Sequence, residues 1–282
     1  MHSTKKSRIY RKRNFRIMNN NYHFSKDVDV LIPIHYSKED YLKESINSLI
    51  NQTLKPNIIC ILNGMDETSN IYYKKILTDL SVNKIIICSI KGIPNALNYG
   101  LKYCEGKYIA RQDDDDFSNP ERILKQRIFL EKNNVDIVGS NVNLIDELGN
   151  KIGYRKYPIS NKKCKETLAY KSCFCHPSIM VRKSFFLKNK YPLISGEDYA
   201  LWLKSYKNST FSNYPEFLYN YRIHSGQVSK TNINYLFLKE SKKIINKTNN
   251  KIEKIRLIIN LICTILKCLI KKRKINFNTE LS

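Results

Sequence analysis

Negative charge is what this chain has least of: 25 Asp and Glu stand against 49 Lys and Arg, a net charge of +24 over 282 residues. No acidic residue precedes Asp27, while Lys5, Lys6, Arg8, Arg11, Lys12, Arg13 and Arg16 crowd the stretch before it. Self-repulsion and scarce apolar surface make residues 1–26 an expected unstructured basic arm. No apolar run of signal-peptide length follows those charges, so secretion is not expected and a cytosolic chain is. The eight cysteines are then expected as reduced thiols. Cys173, Cys175 and His176 form one suggestive cluster, but a structural zinc site needs two ligand pairs, and only Cys164 is nearby. Zinc is not expected there. Full disorder is excluded by a 42% hydrophobic content, enough for one large domain or two small ones. A positive field of this size attracts polyanions such as nucleic acid, anionic membrane or phosphorylated ligands, and its sign does not choose among them.

What the chain does have, from Val28 on, is an alternation of short apolar runs with helix-length amphipathic ones. "VDVLIPI" (28 to 34), "IICIL" (58 to 62), "KIIICSI" (84 to 90) and "KYIAR" (107 to 111) read as buried strands. Between them "KEDYLKESINSLINQ" (38 to 52), "YYKKILTDL" (72 to 80) and "PNALNYGLKYC" (94 to 104) read as helices, the last with Pro94 suited to a first turn. Strands alternating with helices predict an α/β fold: a doubly wound, mostly parallel sheet covered on both faces, with ligands at the carboxyl ends of the strands. The run "NPERILKQRIFLEKNN" (119 to 134) starts a helix, with Asn119 as N-cap and Pro120 in the first position. A strand and a hairpin turning at "ELGN" follow within 135 to 153, after which the regular alternation dissolves. The expected organisation is therefore a domain over 27–230, split into a nucleotide-binding half (27–134) and a mixed α/β half (135–230), then a basic tail over 231–282.

That tail includes "IEKIRLIINLICTILKCLIKKRK" (252 to 274), whose uncharged core is Leu257 to Leu266. It falls far short of the roughly 20 residues a spanning helix needs. An amphipathic helix lying in the membrane interface, its Lys and Arg meeting anionic headgroups, uses both the apolar stretch and the cationic flank. A helix docked on the domain or on a second subunit is the plainer alternative.

The scarce acids are concentrated in "YIARQDDDDFSNPERILKQ" (108 to 126), directly after the fourth strand. Four adjacent carboxylates repel one another, and a bound cation, protonation or solvent must offset that cost. Hard oxygen ligands suit magnesium, manganese or calcium, and magnesium is commonly held by carboxylates together with substrate phosphates. The run lacks the spread ligands, central Gly and final Glu of an EF-hand loop, and a solvated acidic loop is the bland rival.

Here the chain resembles the glycosyltransferase family 2 enzymes, which have the GT-A fold. The acidic segment resembles their metal-binding motif: an apolar strand, Asp-x-Asp, a further Asp and a Pro-led helix. "VLIPIHY", "SLINQTLKP" and "KGIPNALNYGLKYCEGKYIAR" resemble the stretches before it, and "HPSIMVRKSFF", "SGEDYALWLK" and "LYNYRIHSGQVS" the acceptor-side segments after it, all in order over residues 28 to about 228. The resemblance implies that Asp113 and Asp115 are the Asp-x-Asp pair, Asp115 the direct metal ligand and Asp113 a metal ligand also near the ribose. Asp114 holds the variable position on the nucleotide-sugar side, and Asp116 stands behind the metal or touches the acceptor. Pro33 lies beside the base, and His224 is a further candidate metal or diphosphate ligand; Arg111, just before the acids, holds the diphosphate or merely pairs with Asp113. Of the Glu-Asp pair, Asp198 is the expected catalytic base, with Glu197 positioning it or touching the acceptor; an acidic first turn of a helix is the rival reading. His176 is weighed as a ligand against an ordinary packed imidazole.

Two departures stand out. Many family members carry an acid that contacts uracil after the second strand, where "ILNGMDE" here has Leu62 and Asn63, leaving Asn63 as the residue to hydrogen-bond the base. The Asn often found two residues before Gly92 is Ile90. The resemblance implies an inverting, Mn2+- or Mg2+-dependent enzyme that moves a hexose, galactose or glucose favoured, from a UDP-sugar. Its expected acceptor is a lipid-linked saccharide, an undecaprenyl-diphosphate-linked one favoured, in bacterial O-antigen or capsule assembly at the cytoplasmic face of the inner membrane. A basic nucleic-acid-binding protein is the reading from another class, set back by tyrosines scattered through core segments and by the lack of an RNA-binding signature. A UDP-sugar-binding relative without activity is a third.

Overall fold

Near-continuous apolar runs form strands buried on both faces, which is why they show little alternation. In the computed structural model, Val28–Ile34 forms β1, buried throughout. Its Val28, Val30, Ile32 and Ile34 enter one core and Leu31 another. The structure describes residues 27–225 and separate positions between 242 and 265, so the arm over 1–26 and most of the tail over 231–282 lie outside the described residues. Among the tail's described positions, Ile245 is buried and Leu261 packs against the same core, while Ile255, Ile258, Ile259 and Ile262 are exposed.

From β1 the chain runs through α1 (Glu39–Ile50), β2 (Asn57–Asn63), α2 (Glu67–Asp79), β3 (Lys84–Cys88), α3 (Ile93–Gly100) and β4 (Tyr108–Arg111). Parallel pairing sets these strands in the order β3-β2-β1-β4. There follow β5 (Phe117–Ser118), α4 (Arg122–Asn133), β6 (Ile137–Ile145), β7 (Lys151–Arg155), α5 (Asn161–Thr167), a 3-10 turn at His176–Ser178, β8 (Met180–Arg182), α6 (Lys183–Lys188), α7 (Glu197–Ser205) and β9 (Phe211–Arg222). They extend the same sheet as β4-β8-β6-β9-β5, with β7 hairpinned onto β6. Here pairing is mixed: β8 is antiparallel to both neighbours, while β6 and β9 are parallel with a register shift between Ser140 and Val142. Leu42, Ile46 and Leu49 of α1, Leu77 of α2 and Leu130 of α4 cover one face. Leu97 of α3, Phe185 of α6 and Trp202 of α7 cover the other. The six described cysteines are buried and free of disulfides.

Two helix starts differ from the sequence reading. α2 begins five residues before Tyr72, because the Asp66 carboxylate accepts the Ser69 N–H and caps the helix there. α4 begins at Arg122 rather than Pro120: Asn119 Oδ1 accepts the Glu121 N–H, and the Pro120 carbonyl is taken by Thr53 N–H, so both residues form a turn ahead of the helix.

α4 contributes the side chain that ties the two halves together. Arg122 is fully buried. Its Nη2 donates to the carbonyls of Arg111 (2.6 Å), Pro177 (3.1 Å) and Ile179 (3.2 Å), its Nη1 to Ser118 Oγ (2.8 Å), and its Nε to Gln126 Oε1 (3.1 Å). The guanidinium lies over the Tyr219 ring, 4.8 Å from its centroid. Burial lowers its pKa to about 10, still charged at neutral pH. We expect Arg122→Met to cost roughly 3–5 kcal/mol in urea unfolding, because several buried acceptors lose their donors at once. A loss below about 1 kcal/mol would show that the guanidinium is replaceable there.

Candidate active site

The carboxyl ends of β1, β2 and β4 open onto a cavity of about 1400 Å³. Of the residues singled out from the sequence, Pro33, Asn63, Arg111, Asp113, Asp114, Asp115, His176, Glu197, Asp198 and His224 line it, whereas Asp116 is buried behind the wall and does not face the cavity.

The acidic loop leaves β4 with its backbone fixed from several elements. Asp113 N–H donates to the Tyr219 hydroxyl (3.1 Å), the Asp113 carbonyl accepts from Ser45 Oγ (2.9 Å), and the Asp115 carbonyl accepts from Arg222 Nε (2.8 Å). Held this way, Asp113, Asp115 and Asp116 bring carboxylate oxygens within 4.8 Å of one another. Asp113 pairs with Arg111 Nη2 at 2.6 Å, and Asp115 Oδ2 lies 2.7 Å from His224 Nε2. Asp116 Oδ1 accepts the Arg222 N–H, while its Oδ2 is buried with no hydrogen-bond partner among the described residues. Asp114 takes a hydrogen bond from the His35 backbone instead. Burial pushes the carboxyls of Asp114, Asp115 and Asp116 above the usual range, and the charges of their neighbours add to the rise; the His224 contact opposes it at Asp115. Crowded oxygens, one of them orphaned, fit a hard divalent cation held by Asp113, Asp115 and Asp116, with His224 gripping Asp115 from behind.

On another wall, Gly196 adopts φ +76, a conformation that favours glycine, and sets Glu197 and Asp198 into the first turn of α7. The two readings of this pair are thus compatible: an acidic helix start that also faces a cavity. Burial and the Asp198 charge raise the Glu197 carboxyl to about 7. Burial raises Asp198 also, against hydrogen bonds from the helix backbone. His176 Nδ1 lies 4.0 Å from Glu197 Oε1, and its Nε2 is 3.1 Å from the buried Tyr191 hydroxyl. Burial, helped by the Arg111 charge, holds this imidazole neutral. Its partners are these carboxylates, since His176, Glu197 and Asp198 place their ligand atoms within 4.8 Å.

At the far end, Asn63 Oδ1 accepts the Gly92 N–H and its Nδ2 donates to the Ile90 carbonyl, both at 2.8 Å. Its amide therefore braces the loop before α3 and keeps one N–H and one lone pair for a ligand. Gly64 allows that loop to close, since a Cβ there would stand 2.7 Å from Lys91 Cα. The sequence reading passed over Tyr191 and Tyr219, which orient His176 and Asp113. Each sits in an aromatic-rich run that reads as plain core, and no local pattern marks it.

Comparison with known proteins follows this geometry. The family described as Glycosyl transferase family 2 matches residues 29–189. The O-antigen biosynthesis glycosyltransferase WbnJ of Escherichia coli is 36% identical over 216 residues, spanning 74% of this chain and 84% of the relative. The putative glycosyltransferase EpsE of Bacillus subtilis is 33% identical over 219 residues, 74% of this chain and 77% of EpsE. Among solved structures, S. aureus TarS 1-349 in complex with UDP-GlcNAc is similar at a TM-score of 0.61 and 18% identity, covering 84% of this chain and 72% of that one. The mannosyltransferase PcManGT from Pyrobaculum calidifontis, in complex with GDP-Man and Mn2+, is similar at 0.54 and 10% identity, covering 86% and 87%. These likenesses show the GT-A fold.

The raised carboxyls set a sign for metal binding. A carboxyl whose folded-state pKa stands above its unfolded value lends stability that is complete below about pH 4 and is lost as pH rises through the raised value. A cation offsets that loss. Mn2+ or Mg2+ should therefore raise Tm more at pH 8 than at pH 5.5, and Asp115→Ala should abolish the difference. A metal-independent Tm at pH 8 would remove the cation from this loop.

Proposed function

The chain belongs to glycosyl transferase family 2 and is a glycosyltransferase, and from that premise we propose that it transfers a hexose, galactose or glucose favoured, from a UDP-sugar to a lipid-linked saccharide, with inversion. The observation that carries this reading is one cavity with Asp113 and Asp115 of the acidic cluster on one wall and the half-buried Glu197–Asp198 pair on another. A donor whose nucleoside diphosphate meets the first wall presents its anomeric carbon toward the second. Support for the donor comes from TarS, solved with UDP and with UDP-GlcNAc, and for the metal from PcManGT, solved with Mn2+. Support for a surface-polysaccharide acceptor, undecaprenyl-diphosphate-linked in this reading, comes from the O-antigen role in the name of WbnJ. Arg155, Lys156 and Lys171, exposed on the cavity's lip, suit a phosphate-bearing acceptor.

In this reading Asp198 accepts the proton of the acceptor hydroxyl as the new bond forms, and Glu197, sharing its burial, positions it. Asp113 meets the ribose and Pro33 the base, while Asn63 offers the base its remaining N–H. Asp113 and Asp115, with Asp116 behind them, would hold Mn2+ or Mg2+, which would supply positive charge beside the departing diphosphate. One carboxylate base opposite the leaving group gives a single displacement and hence inversion. No described helix is long and apolar enough to cross a membrane. Peripheral contact with the cytoplasmic face of the inner membrane is the reading of the tail, whose exposed Ile255, Ile258, Ile259 and Ile262 precede a cationic block.

Purified protein with Mn2+, a panel of UDP-hexoses and a synthetic N-acetylglucosamine-diphospho-lipid should release UDP only when acceptor is present. Asp198→Asn should lower kcat about 100- to 10,000-fold, and Asp115→Ala should be comparably damaging. Because the base must be ionised, activity should rise with pH through the raised pKa of Asp198, putting the acid limb above the ordinary carboxylate range near pH 4. UDP binding without turnover on any acceptor would instead indicate a binding protein of the same fold.

A further inference from the structure

Arg111 ends β4 with its backbone locked on both sides: its N–H donates to the Ile179 carbonyl (3.0 Å) and its carbonyl receives Arg122 Nη2 (2.6 Å). The side chain is 6% exposed and lines the cavity. Only Nη2 is engaged in an ion pair, with Asp113 at 2.6 Å; Nε and Nη1 are buried and have no hydrogen-bond partner among the described residues. Buried donors of a cation left this way are costly, and native structures rarely keep them without a ligand or water to complete them. Burial alone would weaken the guanidinium's hold on its proton, but the charge and hydrogen bond of Asp113 more than reverse that. The same charge reaches the other wall, where it pulls the Glu197 and Asp198 carboxyls down and helps keep His176 neutral. Arg111 therefore contacts the acidic loop directly, and its charge is felt by the base on the other wall.

In the reading above, the group that bridges those two walls during reaction is the sugar being transferred. We propose that Arg111 reads that sugar, its guanidinium turning an occluded, unpaired N–H toward a hydroxyl oxygen of the hexose while Nη2 keeps Asp113 in place. The proposal rests on the assignment of this cavity as the donor site. A neutral hexose is favoured over a uronic acid, because Asp113 already pairs with the guanidinium and the Glu197–Asp198 pair lines the same cavity, so a further carboxylate would meet like charge. A site that hydrogen-bonds a hydroxyl discriminates strongly against analogues lacking it, since its own buried donors are then left unpaired. Arg111 is thus a determinant of donor-sugar specificity, separate from the residues that hold the nucleotide.

Calorimetric titration of the full chain with Mn2+ separates these parts, using UDP and the UDP-hexose that the wild type turns over. In Arg111→Gln and Arg111→Lys, the Kd for UDP should stay within about threefold of wild type. The Kd for the UDP-hexose should rise about tenfold or more relative to that for UDP. The Lys variant keeps a cation beside Asp113 and should retain the wild-type Tm without recovering the sugar contact. Deoxy-hexose donors should lose affinity in the wild type and lose little further in Arg111→Gln. Equal weakening of UDP and UDP-hexose would overturn the proposal in favour of a diphosphate contact. Unchanged Kd values for both would reduce Arg111 to a partner of Asp113. Failure of the wild type to bind UDP at all would instead sink the donor-site assignment.

Discussion

A single buried guanidinium, that of Arg122, sets the geometry on which the rest depends. No carboxylate pairs with it among the described residues; backbone carbonyls, hydroxyls and amides satisfy it. Three of those carbonyls belong to the end of β4 and to the turn at 177–179. The acidic loop begins where one group ends, and His176 sits at the start of the other. Because an unsatisfied buried cation is so unfavourable, the two segments are held at a fixed separation even though they lie more than fifty residues apart in sequence.

Around that staple, a strongly basic chain keeps its acids where they do least harm to the fold and most work in the cavity. Asp116 is answered by the Arg222 N–H, Asp113 by Arg111, Asp115 by His224. β9 is central to this, because Tyr219 supports Asp113 and Arg222 supports both Asp115 and Asp116. Arg222 also packs over Tyr41 and reaches the carbonyls of Asp146 and Glu147. The last described strand of the domain thus buttresses the loop that follows the fourth.

The nucleotide half was legible because its signals are local. Continuous apolar runs such as 58–62 and amphipathic ones such as 38–52 announce parallel strands and their covering helices. The acidic run stood out through its crowding of charge, while Asp113 and Asp115 within it, like Glu197–Asp198, were singled out through resemblance. What could not be read was pairing across distance. Arg122 sits in an amphipathic helix, where a cation reads as solvent-facing, and only the fold shows it buried. Asn63 reads as a free amide until its bonds to Ile90 and Gly92 are seen. Tyr219 and Tyr191 look like core aromatics until their hydroxyls are found at Asp113 and His176. β8 and the mixed pairing of β6 and β9 depend on contacts that periodicity does not encode.

The buried thiols carry a consequence of another kind. Cys60, Cys173 and Cys175 are held well above the ordinary thiol range, chiefly by burial, so almost none of them is thiolate at neutral pH. A thiol reagent therefore meets these sulfurs only when the structure opens. Cys60 lies in the core beneath α1 and α2, whereas Cys173 lies in the one beneath α7. Their labelling rates would time the opening of each face of the sheet separately, giving the molecule two built-in clocks for its own breathing.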